Sequence, residues 1–205
     1  AEQKYVVCNA DEGDSGTFSD RMIMEGDPLV LIEGMIITAV AVGATKGFVY
    51  LRSEYPDAER VFGHAIEAAK KAGYLGDDVR GSGKAFHLEL RRGAGSYVCG
   101  EETALLESLE GKRGVVRYRP PVPAVSGLFG KPTALNNVNT FASVPIILHR
   151  GADFYRDYGV GKSRGTVAFQ LGGNVKHGGI VEKAFGLTLR QLVYDFGGGS
   201  ASGRP

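Results

Sequence analysis

Two segments of this chain combine glycines with acidic side chains, and each follows a short apolar run that predicts a strand. The first is CNADEGDSGTFSDR at 8–21, and the second is GAGSYVCGEETALLESLEG at 93–111. Glycine lets a backbone approach a flat or phosphorylated ligand closely, and carboxylates accept hydrogen bonds from sugar hydroxyls. The second segment also runs into a helix pattern, whose free N–H groups suit a phosphate. Both segments therefore predict ligand-binding loops.

The overall composition excludes several classes of function. The chain has 205 residues and a formal net charge of +1 at pH 7, so no global charge favours nucleic acid or a membrane surface. Its longest apolar stretch, residues 28–44, contains Glu33 and is more typical of a buried helix than of a membrane span. We therefore expect no nucleic-acid partner and no direct membrane insertion.

The cysteines and histidines give no reason to expect a metal site. Cys8 and Cys99 form no CxxC pair, and the four histidines are scattered without metal-ligand spacing. Two unpaired cysteines in apolar runs are typical of buried, reduced thiols, which favours a cytoplasmic location. The N-terminal residues also lack the layout of a signal peptide.

Alternating strand and helix patterns in the first half of the chain predict an α/β fold with a parallel sheet. Residues 9–20 are expected to form a polar loop between the first strand and the first helix. In such sheets the ligand binds at the carboxyl ends of the strands, where both glycine- and acid-rich segments would lie. The expected strands are Tyr5–Cys8, Gly47–Arg52 and Phe86–Leu90, and the expected helices are 28–42, Pro56–Ala72 and Glu101–Leu109.

The second half changes character along its length. Residues 115–139 are rich in proline and glycine and predict a long ordered loop, followed by helices near Thr140–His149 and Ala152–Tyr158. We expect a domain boundary near 160–165, which divides the chain into a large domain, 1–162, and a small β-grasp domain, 163–205. In the latter, the pattern predicts two strands and a helix over 188–194 with Leu189, Leu192 and Val193 facing inward.

Four motifs occur in an order that is typical of one family: CNADE at 8–12, GAGSYVCGEETAL at 93–105, GLFGKPT at 127–133 and NNV at 136–138. On these motifs the chain resembles, end to end, the FMN-binding subunit of NADH dehydrogenases. That family includes the flavoprotein subunit of respiratory complex I, the diaphorase subunit of NAD-reducing hydrogenases and the beta subunit of NAD-dependent formate dehydrogenases. The longer stretch CNADEGDSGTFSDRM is closer to the formate dehydrogenase and hydrogenase branch.

The resemblance implies a Rossmann-like domain that holds FMN, a β-grasp (SLBB-like) domain and a helical domain with a 4Fe-4S cluster. The main glycine-rich loop of the family is expected before residue 1 and its cysteine cluster motif after residue 205. The chain is thus expected to be a central fragment, in which no residue is assigned to a metal. The implied activity is hydride transfer between NAD(H) and FMN, followed by single-electron transfer to the iron–sulfur subunits of a multisubunit complex. Such a complex would be cytoplasmic or, in the case of complex I, peripheral on the inner membrane.

The resemblance also implies a set of binding residues but no catalytic side chain, because the flavin itself carries the hydride. Gly100 is expected to leave room for the flavin ring, and Glu102 matches a glutamate that contacts NADH. Two departures concern the nucleotide: Val122 replaces an adenine-stacking aromatic, and Arg119 replaces a lysine. The cofactor-binding residues are predicted to be Asn9, Asp11, Glu12, Asp14, Tyr97, Gly100, Glu101, Glu102, Asn136 and Asn137.

Structural interpretations of the same residues stay open. The pair at 101–102 could serve simply to stabilise the start of a helix, and Asp11 and Glu12 could serve simply to shape a loop. The pair at 136–137 could cap a helix. At the level of the whole chain, the alternatives are a scaffold that docks redox partners without a retained flavin, and a dinucleotide-binding enzyme with another cofactor.

Overall fold

The computed structural model describes residues 3–204, which form two compact units. The first unit contains the described residues up to Gly13 together with Asp20–Pro145, and the second contains Asp14–Ser19 and the chain from Ile146 onward. The predicted domain boundary at 162–163 and the β-grasp fold of the C-terminal domain stay predictions.

A four-stranded parallel sheet forms the centre of the first unit, which confirms the predicted α/β class. Its strands are β1 (Tyr5–Ala10), β2 (Lys46–Leu51), β3 (His87–Arg92) and β4 (Thr133–Asn137). They lie in the order β3-β2-β1-β4.

The fourth strand corrects the prediction of a long ordered loop over 115–139. Thr133–Asn137 pairs along its whole length with β1, and the same segment also contains a helical turn, α5 (Pro123–Ser126). The sequence TALNN has low strand propensity, because asparagine and alanine are both depleted in strands. Pairing with an already buried neighbour, rather than local preference, therefore makes this segment a strand.

Helices connect and cover the strands. The start of α2 is capped: Asp27 accepts a hydrogen bond from the backbone N–H of Val30, Pro28 occupies the first turn, and Gly43 with a φ of 72° follows the last turn. The first helix lies partly inside the segment predicted as a polar loop. The longer helices are α1 (Ser19–Gly26), α2 (Pro28–Val42), α3 (Pro56–Lys71), α4 (Glu102–Leu109) and α6 (Val138–Arg150), and single 3₁₀ turns occur at Val79–Gly81, Tyr97–Gly100 and Leu128–Gly130.

The core lies on both faces of the sheet, because successive side chains of a strand point in opposite directions. One face packs against α2, α3 and α6, and the other packs against α4 and the turn at Leu128. Full burial of one large apolar side chain contributes about 1.5–3 kcal/mol. Cys8 and Cys99 are both buried free thiols, as predicted. Burial of α2 is only partial, since Leu29 and Val40 are exposed.

The second unit consists of short elements around a hairpin. Strands β7 (Thr166–Leu171) and β8 (Gly179–Ala184) pair in antiparallel fashion. The predicted inward position of Leu189 is wrong, because its side chain is 80% exposed, whereas Leu192 is buried. The α-helix there lasts only three residues before the chain widens into a π-turn. The 3.6-residue period from which the inward-facing side chains are predicted therefore does not hold over this segment. The other elements are α7 (Ala152–Arg156), β5 (Gly159–Val160), β6 (Ser163–Arg164), α8 (Leu189–Gln191) and the π-turn Leu192–Phe196.

Close approach of α2 and α6 depends on a glycine. A Cβ atom added to Gly34 would lie 2.0 Å from the carbonyl oxygen of Phe141, which is backbone and cannot turn aside. We expect Gly34→Ala to lower the free energy of unfolding by about 1–3 kcal/mol, measured by urea denaturation.

The matched control is Gly63→Ala in α3, where an added Cβ would meet no atom within 4 Å. Alanine favours a helix over glycine by up to about 1 kcal/mol, so this variant should gain stability. Equal effects of the two substitutions would contradict the close approach.

Candidate functional site

The strand order creates a topological switch point between β1 and β4. From β1 the chain adds β2 and β3 on one side, whereas β4 pairs on the other side, so the order reverses between β1 and β4. Ligands of open α/β sheets bind outside the carboxyl ends of the strands at this switch point. In the register, Asn9 of β1 lies opposite Asn137, and Cys8 lies opposite Asn136. The topology therefore brings three predicted site residues, Asn9, Asn136 and Asn137, to the switch point.

Asn9 joins the two glycine- and acid-rich segments. Its Nδ2 donates a hydrogen bond to the carbonyl oxygen of Gly100 at 2.9 Å, and its Oδ1 accepts one from the backbone N–H of Asp11 at 3.1 Å. Gly100 lies so close that an added Cβ would be 3.3 Å from the carbonyl oxygen of Asp11. These bonds join two parts of the chain that are far apart in sequence, at the end of β1.

The residues around this junction differ in exposure. Asp11 is half-buried; burial raises its pKa, and the nearby Arg52 partly opposes that effect. Tyr97 is 72% exposed, and its ring lies on the backbone of Gly13, where an added Cβ would be 2.9 Å from the ring carbon Cδ2. Asp14 belongs to the segment 14–19 of the second unit, and its part in the site stays a prediction.

Glu101 is the N-cap of α4. Its Oε2 accepts hydrogen bonds from the backbone N–H groups of Thr103 at 2.8 Å and Ala104 at 2.9 Å, and from the Thr103 hydroxyl at 2.6 Å. Burial alone would raise the pKa of Glu101, but these bonds and the Arg119 guanidinium hold it below its usual range. The structure thus shows the helix-start role that the sequence left open, and ligand contact by Glu101 stays a prediction.

Arg119 pairs with both neighbouring glutamates. Its Nη1 lies 2.6 Å from Oε1 of Glu102, and its Nη2 contacts Oε1 of Glu101. The side chain of Arg119 is 43% exposed, and those of both glutamates are 33% exposed. A cation therefore balances two adjacent carboxylates at the start of α4, and all three side chains remain accessible to solvent.

Glu12 is buried and holds the start of α1. Its two carboxylate oxygens accept hydrogen bonds from the backbone N–H groups of Asp20 at 3.1 Å and Arg21 at 3.3 Å, and from the Tyr55 hydroxyl at 3.0 Å. N–H groups of a first helical turn have no partner within the helix, so this carboxylate satisfies two of them. The geometry assigns Glu12 a structural role, and contact with a ribose stays a prediction.

Asp20 is a buried member of the site that the sequence did not single out. Its side chain is 4% exposed; Oδ2 accepts a hydrogen bond from Nδ2 of Asn137 at 2.7 Å, and Oδ1 accepts one from Nδ2 of Asn139 at 2.5 Å. Burial and the Glu12 carboxylate raise its pKa to about 7, although both amides oppose the shift. These partners lie more than a hundred residues along the chain, so no local pattern could reveal them.

The two asparagines at the end of β4 have different surroundings. Asn137 accepts a hydrogen bond at Oδ1 from the backbone N–H of Asn139 at 2.8 Å. Asn137 thus caps the start of α6, in agreement with the interpretation of the pair at 136–137 as a helix cap. Asn136 is exposed, and its side chain makes no hydrogen bond to any of residues 3–204. Its amide is therefore available to a ligand at the switch point.

The part of the chain that the structure describes contains neither a cluster of metal ligands nor a helix suited to a membrane. Between residues 3 and 204, no three histidine, cysteine, aspartate or glutamate side chains cluster as metal ligands. Within the same range, no helix has the length and apolar character needed to cross a bilayer.

Comparison with known proteins gives consistent matches. A family model described as the Nuo51 FMN-binding domain matches residues 1–146. The NADP-reducing hydrogenase subunit HndC of Solidesulfovibrio fructosivorans is 49% identical over 100% of this chain and 41% of its own length. An NADH-quinone oxidoreductase subunit of Rhizobium meliloti (strain 1021) is 50% identical over 98% of this chain and 48% of its own length. The chain thus spans a little under half the length of these curated relatives.

A solved structure supports the same fold. The crystal structure of an NAD⁺-reducing [NiFe]-hydrogenase in the H₂-reduced state superposes with a TM-score of 0.87 at 39% sequence identity. The match covers 97% of this chain and 33% of the hydrogenase chain.

The raised pKa of Asp20 makes stability depend on pH. The folded protein holds this proton up to about pH 7, whereas an aspartate in the unfolded chain loses it near its ordinary value of 3.8. The stabilising contribution is therefore complete below about pH 4 and is lost as the pH rises through 7. Relative to Asp20→Asn, the wild type should lose up to about 1.4 kcal/mol of unfolding free energy for each pH unit in that window.

Urea denaturation of both proteins at several pH values between 4 and 8 measures this difference. Asp57→Asn is the control, because the Asp57 side chain on α3 is 74% exposed and its loss should leave the pH profile unchanged. Parallel profiles for the wild type and Asp20→Asn would contradict the prediction, because they would show that the folded and unfolded states bind the Asp20 proton equally.

Proposed function

The chain belongs to the family of Nuo51 FMN-binding domains, and from this membership we propose that it binds FMN and NAD(H) and supports hydride transfer between them. The observation that carries the proposal is the bond from Asn9 to Gly100, which joins both family motifs at the switch point of the sheet. Such a point is where α/β proteins bind nucleotide-like ligands.

The residues present fit a flavin mononucleotide. Asn136 offers an unpaired amide with both donor and acceptor atoms, and Asp11 offers carboxylate oxygens that accept hydrogen bonds from ribityl hydroxyls. The glycine at 100 lies in close contact with the main chain of Asp11, so a side chain there would fill space beside the junction. Asn9, Asp11, Gly100 and Asn136 would hold the cofactor. When bound, FMN accepts a hydride from NADH and passes its electrons on singly.

The side chains of this chain would orient ligands rather than act as acids or bases in the hydride step. The Arg119 guanidinium and the Glu102 carboxylate are both accessible, and they offer a donor and an acceptor for the groups of a nucleotide. A carboxylate near the adenosine ribose would disfavour the 2′-phosphate of NADP, because like charges repel. Val122, which is 47% exposed, offers an adenine ring less contact area than an aromatic residue would.

The activity of the longer protein follows from the same proposal. Relatives named as NADH-quinone oxidoreductase and hydrogenase subunits favour a place in a multisubunit complex that passes electrons to iron–sulfur subunits. A 4Fe-4S cluster would lie in the part of such a subunit that the matched region does not include. The formate dehydrogenase branch and the cytoplasmic location stay predictions.

An added charge at Asn136 tests FMN binding. Asn136→Asp should lower FMN affinity about tenfold or more, because a carboxylate near the switch point repels the flavin phosphate and Asn136 has no protein partner to lose. Quenching of flavin fluorescence on titration of the flavin-free protein measures the dissociation constant.

Thr45→Asp is the matched control, since it adds the same charge just before β2 at the amino edge of the sheet. Comparable loss of affinity in both variants would locate the flavin elsewhere. Failure of the wild type to bind FMN would favour the alternative of a scaffold without flavin.

Removal of one carboxylate tests nucleotide selectivity. The wild type should use NADH in preference to NADPH. Glu102→Gln should shift the ratio of the two kcat/KM values towards NADPH about tenfold, because the site loses a negative charge that repels the 2′-phosphate and Arg119 then pairs with one carboxylate fewer. Reduction of an artificial acceptor gives both values.

Glu33→Gln on the exposed side of α2 is the control for this comparison. An unchanged ratio in Glu102→Gln would mean that Glu102 does not face the nucleotide ribose.

A further inference from the structure

A buried carboxylate links the ends of the two strands at the proposed flavin site. Asp20 is linked through its two oxygens to the side-chain amides of Asn137 and Asn139, one of which ends β4 and the other of which lies in the first turn of α6. Its own backbone N–H donates to Glu12, which follows β1. Asp20 therefore connects the ends of both strands that form the switch point.

The charge of Asp20 is balanced by dipoles and not by a cation. Within residues 3–204 its side chain makes no ion pair, and its hydrogen-bond donors are neutral amides. The nearest ionisable groups from β1 and its following loop are Cys8 and Glu12, both of which are buried. A further negative charge close to Asp20 would be poorly stabilised, because no cation among the described residues pairs with Asp20 and buried charges without a cation depend on hydrogen bonds alone.

The remaining ionisable neighbours are already engaged. Tyr55 donates its hydroxyl to Glu12 at 3.0 Å, and the guanidinium of Arg21 on α1 lies over the Tyr55 ring, 5.6 Å from its centroid. The guanidinium of Arg52 lies on the same ring at 5.5 Å. Protonation of Asp20 itself is thus the simplest way to remove charge at this point.

We infer that binding of FMN at the carboxyl ends of β1 and β4 is accompanied by the uptake of one proton onto a carboxylate oxygen of Asp20. The inference rests on the proposed function, and it concerns a residue to which the family resemblance assigns no role. The proton comes from solvent, and the only bond formed is the O–H bond of the carboxylic acid.

Two physical effects favour this proton uptake. The FMN phosphate carries about −1.5 to −2 charges at neutral pH, and an anion near a buried carboxylate disfavours its ionised form. Protonation also makes the carboxyl oxygens weaker acceptors, so the Asn137 amide is held less strongly and can turn towards a ligand oxygen. Both effects make the protonated form the one that binds FMN more tightly.

The direction of the pH dependence follows. Without ligand the pKa of Asp20 is about 7, so below that value the proton is already present and binding takes up little. Above pH 7 each binding event draws a proton from solvent, and FMN affinity falls by up to about tenfold for each pH unit until the pKa of the bound form is passed.

Calorimetry of FMN binding counts the protons directly. FMN is titrated into the flavin-free protein at pH 8 in HEPES and in Tris, two buffers with different enthalpies of ionisation, and the difference in observed heat gives the number of protons. At this pH the phosphate of free FMN, whose second pKa is about 6, contributes little. We expect about one proton for the wild type and for Asp57→Asn, and close to none for Asp20→Asn.

The outcomes separate the two proposals. FMN binding without proton uptake by the wild type overturns the inference, whether or not the Asp20 variant folds, and leaves the proposed function standing. Equal uptake by the wild type and Asp20→Asn also overturns it, since another group then takes the proton. Absence of FMN binding by the wild type overturns the proposed function and the inference with it.

Discussion

Parallel pairing of β4 with β1 is the constraint on which the rest of the site depends. It reverses the strand order beside β1 and places Asn137 opposite Asn9 at the carboxyl edge of the sheet. It also brings Asn137, which ends β4, and Asn139, which follows it in α6, within hydrogen-bond distance of Asp20. At the same edge, the hydrogen bond from Asn9 to Gly100 joins the two glycine- and acid-rich segments.

Backbone and amide dipoles stabilise the negative charge at the site, beside the ion pairs that Arg119 makes with Glu101 and Glu102. Glu12 accepts hydrogen bonds from the start of α1, and Glu101 accepts them from the start of α4. Helix N-termini favour carboxylates because their N–H groups lack partners and the helix dipole is positive there. Asp20, held by side-chain amides beside another carboxylate, is the exception that retains a proton up to about pH 7. Helix starts thus set the electrostatics of this edge.

Further ion pairs order the long connection between α4 and β4. Arg117 contacts Glu107 at 2.5 Å and Glu110 at 2.7 Å, and its Nη1 donates to the carbonyl oxygen of Gly127 at 2.9 Å. Burial tends to raise the pKa of Glu110, but Lys112 and Arg117 hold it below its usual range. The backbone N–H of Phe129 donates to the same carboxylate at 2.7 Å. A proline- and glycine-rich segment thereby reaches β4 in a defined conformation.

The sequence by itself determined the α/β class, three of the four strands, the main helices of the first half and the family, because periodicity and motifs are local properties of the chain. Only the tertiary structure decided that TALNN is a strand, that Glu12 and Glu101 hold helix starts, and that Asp20 belongs to the site. A weak strand former becomes a strand through its neighbour. Likewise, a carboxylate acquires its partners and its pKa from groups that are distant in sequence, and burial supplies the low-dielectric surroundings that make those groups decisive.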